Sequence, residues 1–367
     1  MLTLLQWLVV AAGLFAVAVT LLALHPSPHW LVRIWDFPRV QIALVAVMSA
    51  ALFMAFFFDA HPAEWAFLAA TGLAVLWQCR KIYPYTPPAP IRVKRSTRPR
   101  PGATLKLLIC NVLQENQEYG KVLRIVGEND PDVFLAVETD DAWLQALEPL
   151  ARTHPHAVRQ PQDNYYGMVL FSRLPLIDPQ VKFLVQEDIP SIHTAVELPS
   201  GDRIFLHGLH PPPPEPIRDQ PSTPRDAELV MVGRAVGDEE DRPTVVAGDL
   251  NDVAWSPTSE LFLRLSGLLD PRMGRGFFNS YNANSRFLRY PLDHVFHSND
   301  FKLVDLRRLE HVGSDHFPML IELSYEPAAE MEQPEPRKRP GDEHKAQEKV
   351  EEQVSAAQTG EDRPSGE

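Results

Sequence analysis

Six short stretches of the chain end apolar runs with polar residues of complementary chemistry. Asn111 closes LLICN, Glu138 closes DVFLAVE and His210 closes RIFLHGLH. Asp249 and Asn251 sit in PTVVAGDLN, Asp293 opens DHVF within PLDHVF, and Asp315 and His316 lie in GSDHFPML. Glu138 and Asp315 are hard oxygen ligands of the kind that suits Mg²⁺ or Mn²⁺. Asp249 and Asn251, two residues apart on a turn, could offer an acceptor and an amide donor to a water and a phosphate. His316 titrates near neutral pH and can move a proton. Asp293 could hold its imidazole in one tautomer, as a carboxylate does for a catalytic histidine. Each residue alone has an ordinary explanation, because acids at strand ends usually form turns or cap helices and a single histidine is usually structural. The set is informative because its members supply different parts of one reaction.

Those residues need a scaffold that brings strand ends together. Apolar runs predict strands at 105–112, 132–137, 167–172, 192–198, 203–209, 243–247, 292–297 and 317–324. Helical spacing predicts helices at 118–129, 140–152, 224–236 and 256–268. Strands and helices alternate, so residues 104–325 form an α/β domain, a class in which ligand sites gather beyond strand ends. No glycine-rich loop of the Walker or Rossmann type is present, which leaves nucleotide binding by those routes unsupported. Two cysteines, Cys79 and Cys110, exclude a cysteine-based zinc site or a disulfide scaffold. Both lie in apolar runs and are expected to be buried thiols.

The rest of the chain differs in composition. Residues 1–79 hold two Lys/Arg and three Asp/Glu, and the apolar runs 2–24, 40–58 and 62–79 are each long enough for a transmembrane helix. Residues 80–103 hold seven Lys/Arg, six prolines and no acid, which predicts an extended basic linker suited to anionic headgroups. With three spans, nine Lys/Arg fall on one side and none on the other. That bias predicts a multi-pass protein of the cell membrane with its large domain in the cytoplasm. Residues 326–367, acidic and without an aromatic residue, are expected to form a disordered tail. The formal net charge is −13 for the whole chain, and residues 104–325 alone carry 20 Lys/Arg against 33 Asp/Glu.

GDLN, PLDHVF and SDHFP, in this order after an early Asn and Glu, resemble the endonuclease/exonuclease/phosphatase family. The resemblance covers residues 104–325, and membrane-anchored bacterial members share the layout. It implies a four-layer α/β sandwich of two facing mixed sheets flanked by helices. It implies Mg²⁺ or Mn²⁺ beside Asn111, Glu138 and Asp315, with His210 and Asn251 at the phosphate and Asp249 on the attacking water. His316, paired with Asp293, matches a histidine described either as general base or as transition-state stabiliser. The implied reaction is in-line attack of an activated water on a phosphoester. One departure is Leu113, where abasic-site nucleases carry an acid, so a one-metal site is expected. Asn116 could reach the site or cap its loop. His207 and His294 are expected to face away by strand alternation, and prolines 211–214 to form a stiff wall. The excess of acid favours a lipid-borne or small phosphoester over a nucleic acid, whose binding draws on Lys and Arg. The implied partners are that substrate and the lipid bilayer; no protein partner can be inferred. The alternative function is an inactive, membrane-bound scaffold, against which the completeness of the residue set argues.

Overall fold

The computed structural model describes residues 3–214, 220–239 and 242–359. Four helices come first: α1 (Leu4–Leu22), the short α2 (Trp30–Arg33), α3 (Arg39–Phe56) and α4 (Pro62–Ile82). Thr3 caps α1, and His61 with Glu64 closes a capping box on α4. Among the described residues, only α1 and α3 are long and apolar enough to cross a membrane. The third expected span is also helical, but α4 carries Glu64 in its first turn and Arg80 and Lys81 in its last. Polar contacts tie the three long helices together. Arg39 donates to Gln78 (3.0 Å) and Gln78 donates to Thr20 (2.9 Å).

The remaining elements are β1 (Thr104–Asn111), α5 (Tyr119–Asn129), β2 (Val133–Val137), α6 (Asp141–Leu147), β3 (His156–Gln160), β4 (Met168–Ser172), β5 (Leu176–Lys182), β6 (Ser191–Glu197), β7 (Arg203–Leu209), α7 (Thr223–Asp238), β8 (Thr244–Asp249), α8 (Pro257–Ser266), β9 (Asp293–His297), β10 (Phe301–Arg308), β11 (Met319–Tyr325) and α9 (Asp342–Thr359). Every strand and helix expected from periodicity is present within a few residues. Three strands were not expected: β3, β5 and β10. Each lies at the edge of a sheet. An edge strand is covered on fewer sides, so it carries polar residues such as Arg159, Asp178 and Lys302 and lacks the apolar run that marks a central strand.

The strands form a six-stranded sheet in the order β10-β11-β1-β2-β4-β3 and a five-stranded sheet in the order β5-β6-β7-β8-β9. Alternation along the strands builds the layers. Leu105, Leu107 and Ile109 of β1 point between the sheets, where they meet Leu206, Val245 and Ala247. Leu108 and Cys110 point outward onto Val122, Ile125 and Trp143 of α5 and α6. Val246 and Phe296 point outward from the second sheet onto Leu229, Val232 and Phe262 of α7 and α8. The result is the expected four-layer sandwich, helices outside and two mixed sheets within.

The basic segment and the tail differ from expectation. Residues 80–82 complete α4. Farther on, Lys94 accepts from the Leu303 amide (2.9 Å) and Ser96 donates to the Leu303 carbonyl (2.8 Å), with Val93 and Ala103 buried in the inter-sheet core. The segment is therefore strapped to the domain rather than a free spacer. The tail carries α9 instead of disorder, while residues 360–367 lie outside the described residues. Ala346 is buried against Val230, Leu261 and Leu265. Arg264 makes two bonds to Asp342 (2.7 and 3.0 Å), and Lys349 Nζ lies 2.6 Å from Asp226. Average composition missed this helix because ion pairs along its first half let a narrow apolar stripe suffice.

Truncation after Arg339 is expected to lower the unfolding temperature in a thermal scan. Lys349→Ala alone should cost about 1–3 kcal/mol, because it leaves buried Asp226 with one donor fewer. An unchanged melting curve in both variants would show that α9 contributes nothing.

Candidate active site

Strand pairing brings the six sequence stretches to one edge of the sandwich. Parallel β1 and β2 set Asn111 opposite Val137, so Glu138 stands one residue beyond. Parallel β7 and β8 set Leu209 opposite Gly248, so His210 comes level with Asp249. Antiparallel β9 sets Asp293 opposite Asp249. β11 runs antiparallel to β1, so the turn holding Asp315 and His316 enters it from the same edge.

The backbone is specialised at this edge. Gly248 has φ +146°, and a Cβ there would lie 1.9 Å from the Leu209 carbonyl oxygen, so only glycine fits. Glu138 (φ +61°) and Asn251 (φ +50°) adopt left-handed conformations that non-glycine residues rarely take. Such strain persists only where the surroundings enforce it. Here the Thr139 amide donates to Gly167 (3.0 Å) and the Asn251 amide to Asp249 Oδ1 (3.0 Å).

One chain of hydrogen bonds, joined at one point by an ion pair, crosses both sheets. His316 Nδ1 donates to Asp293 Oδ2 at 2.7 Å, which leaves Nε2 facing Asp249 Oδ2 at 3.4 Å. Asn111 Nδ2 donates to that same Asp249 oxygen (3.0 Å) and to Glu138 Oε1 (2.7 Å). The Asn251 side-chain amide donates to the Pro211 carbonyl (3.0 Å), so the proline wall orients it. His210 is buried, stacks on Tyr166 at 5.5 Å, and has a buried Nδ1 with no partner. Asp315 follows Ser314, whose hydroxyl accepts from the His316 amide (2.9 Å).

Charge is concentrated here. Burial, with Asp249 and Asp315 nearby, raises the Glu138 carboxyl to about 7 despite the Asn111 hydrogen bond. Burial also raises Asp315. Burial opposes charge on His316, but Asp249 and Asp293 outweigh it and raise the imidazole to about 10. Burial lowers His210 to about 4, which leaves it neutral at pH 7.

These features bear on a cation. Asp249, Asp293 and His316 bring ligand atoms within 4.8 Å of one another, but the hydrogen bond of His316 to Asp293 and its ion pair with Asp249 account for that grouping. Glu138 and Asp315 have spare acceptor capacity: Asp315 Oδ1 is buried without a partner, and burial together with the Asp249 and Asp315 charges pushes the Glu138 equilibrium toward the neutral form. This is a donor set of hard oxygens short of positive charge, and it fits a divalent cation.

The other residues raised by the sequence lie outside this cluster. Asn116 donates to the Val112 and Val312 carbonyls (3.0 and 3.2 Å) and caps its loop. His207 pairs with His193 (2.6 Å), and His294 binds the Asp252 carbonyl (2.8 Å) and Arg272 (2.6 Å). Sequence reasoning missed four supporting residues. Tyr281 stacks on His316 at 5.0 Å, Tyr166 on His210, Ser314 bonds the His316 amide, and the Ser280 hydroxyl accepts from the Leu292 and Asp293 amides (3.2 and 3.1 Å). Ser314 lies inside the SDHFP stretch, which could have flagged it; the other three are common residues in unpatterned loops, so no local signal marks them.

A family model described as the endonuclease/exonuclease/phosphatase family matches residues 108–316. Among solved structures, a humanized D. rerio TDP2 is 15% identical with TM-score 0.49, covering 60% of this chain and 99% of that one. The human nocturnin catalytic domain with bound sulfate is 16% identical with TM-score 0.48, covering 61% and 95%. A family protein from Bacteroides thetaiotaomicron is 19% identical with TM-score 0.47, covering 62% and 99%. No curated protein matches the chain.

In the metal-free protein, His316 should stay protonated through neutral pH. Its folded value lies above the ordinary 6.5, so the stability it contributes is complete below pH 6.5 and is lost as pH rises to about 10. Asp293→Asn should bring the imidazole titration down, as followed by NMR. An imidazole titrating near 6.5 in the unaltered protein would contradict the charge network.

Proposed function

This chain belongs to the endonuclease/exonuclease/phosphatase family, whose members are phosphoester hydrolases, and we propose on that premise that it is a membrane-tethered, divalent-metal-dependent phosphoesterase. The observation that carries the proposal is the continuous polar chain from Asp293 to Glu138, made of hydrogen bonds from His316 to Asp293 and from Asn111 to Asp249 and Glu138, with the His316–Asp249 ion pair between them. Residues 104–325 are the catalytic domain in this reading. Glu138 and Asp315, with Asn111 beside them, hold the cation. When bound, Mg²⁺ or Mn²⁺ supplies polarisation of the phosphate and charge neutralisation at the leaving oxygen.

The protein groups divide the remaining work. Asp249 is fixed through both oxygens, by Asn111 and by the Asn251 amide, and takes the proton of the attacking water. His316 is cationic at neutral pH, so it serves as a stabiliser of phosphate charge rather than as the base. Asp293 orients it. Neutral His210 and the second N–H of the Asn251 side-chain amide, whose first is held by the Pro211 carbonyl, donate to phosphate oxygens.

Two observations favour a phosphoester borne on a lipid over duplex DNA. The domain has an excess of acid. In addition, Phe287 and Leu288 are 85% and 52% exposed, and the Phe287 carbonyl accepts from Gln41 of α3 (2.7 Å). The same loop reaches the site, where the Ala283 amide donates to the Asp315 carbonyl (2.6 Å). The excess of Lys/Arg on one side of the spans supports a multi-pass protein with this domain in the cytoplasm, although Arg33 and Arg39 are already paired with Asp36.

Hydrolysis by the full chain should require Mg²⁺ or Mn²⁺ and vanish in EDTA. His316→Ala and Asp249→Asn should each lower kcat about 10²–10⁴-fold, and Asp293→Asn less. Full activity in either of the first two would reject the site. Phospholipid vesicles should outperform duplex DNA at equal salt, and the reverse order would reject the lipid reading. Folded Glu138 titrates at about 7, above its ordinary 4.5, so it destabilises the metal-free fold as pH rises through that window. Mg²⁺ should therefore raise the unfolding temperature more at pH 8 than at pH 5.

A further inference from the structure

We propose that a second site, separate from the catalytic cluster, binds the phosphate-bearing headgroup of an anionic lipid. It is a cavity of about 450 Å³ where α4 enters the catalytic domain, a volume in the range of small-ligand pockets. None of its lining residues belongs to the cluster at the sheet edge.

Charge balance at this cavity points to an anion. Three arginines line this cavity: Arg80 at the end of α4, Arg92 twelve residues on in the strap, and Arg339 from the distant segment before α9. Among the described residues, none of the three side chains has an ion-pair or hydrogen-bond partner. The acids that line the cavity are already matched. Glu260 pairs with Lys81 (2.7 Å), and Asp270 takes two bonds from Arg272 (2.7 and 3.0 Å). Arg264, the other cation present, is committed to Asp342 (2.7 Å). Three positive charges therefore surround one cavity with no protein anion to meet them, in a chain whose net charge is −13. Guanidinium groups match phosphate oxygens in geometry as well as charge.

The walls decide which kind of anion fits. Trp77, Leu263 and Met273 line the cavity beside the cations. A free phosphate has no use for those apolar surfaces, and a neutral lipid leaves the cations unmatched. An anionic lipid satisfies both. The location agrees: Trp77 and Arg80 lie in the last turns of α4, where aromatic and basic side chains mark a membrane interface. A headgroup bound there bridges α4, the strap and the tail, and so holds the catalytic domain at a fixed place against the bilayer. The proposal rests on the reading of the N-terminal helices as a membrane anchor, and not on the catalytic reading.

The test uses the full chain in nanodiscs of phosphatidylcholine with or without phosphatidylglycerol, with lipid retention read by native mass spectrometry. Phosphatidylglycerol should be retained over phosphatidylcholine by about tenfold or more, the order expected of cations at an anionic surface. Combined Arg80→Gln, Arg92→Gln and Arg339→Gln should abolish that preference, and Arg339→Gln alone should weaken it, with an unchanged unfolding temperature in detergent serving as the check on folding. Millimolar inorganic phosphate should not displace the lipid. Equal retention of the two lipids, an undiminished preference in the triple variant, or displacement by inorganic phosphate would each overturn the site. Extraction of the chain from membranes by alkaline carbonate would instead overturn the anchor reading, which separates the two failures.

Discussion

Asp249 stands where the two sheets meet, and the candidate site depends on its position. Its Oδ2 accepts from Asn111 of the six-stranded sheet and faces His316, which enters the same sheet, while its Oδ1 holds the Asn251 turn of its own sheet. A strand that ended one residue earlier would turn the carboxylate to the opposite face, because strand side chains alternate. Gly248 sets that ending. Its φ of +146° and the close approach of the Leu209 carbonyl allow no side chain, so β8 turns away immediately and leaves Asp249 at the rim.

The same convergence creates an electrostatic deficit. Glu138, Asp249, Asp293 and Asp315 share one edge, and His316 is the cation bonded into their chain. The protein spends that imidazolium on Asp293 and Asp249 and leaves Glu138 and Asp315 raised by burial. Carboxylates held this way lower their free energy by protonation or by binding a cation. A site with spare hard oxygens and a shortage of positive charge fits a divalent cation, and this explains why its acidic and basic members cannot be understood singly.

The flanking segments are attached to this core rather than appended to it. Trp255 donates to the Asp36 carbonyl (2.7 Å) and the Tyr85 hydroxyl to the Ala254 carbonyl (2.7 Å), both in the loop that leads from Asp249 to α8. Arg225 donates to the Asn251 carbonyl (2.8 Å) while its neighbour Asp226 receives Lys349 of α9 (2.6 Å). The N-terminal helices, the basic strap and α9 thus all contact the outer layer that supports the GDLN turn. The orientation of the candidate site relative to the helices α1 and α3 is set by these contacts.

The eight candidate residues, the central strands and the four helices of the sandwich were legible in the sequence, because a buried central strand must be apolar and a residue at its end is conspicuous by contrast. The edge strands β3, β5 and β10 were not, since partial exposure permits polar residues there. Composition also misjudged the tail and the strap: an average over residues 326–367 or 80–103 does not register that Lys349 meets Asp226 or that Ser96 meets Leu303. Local sequence therefore determined which residues were available for chemistry and which segments were apolar enough to span or to bury. Only the tertiary structure decided that Asn111 bridges Glu138 to Asp249, that His316 is charged, and that Arg80, Arg92 and Arg339 share one cavity. Those facts rest on distances between residues far apart in the chain, and a protonation equilibrium depends on the field of neighbours that folding alone assembles.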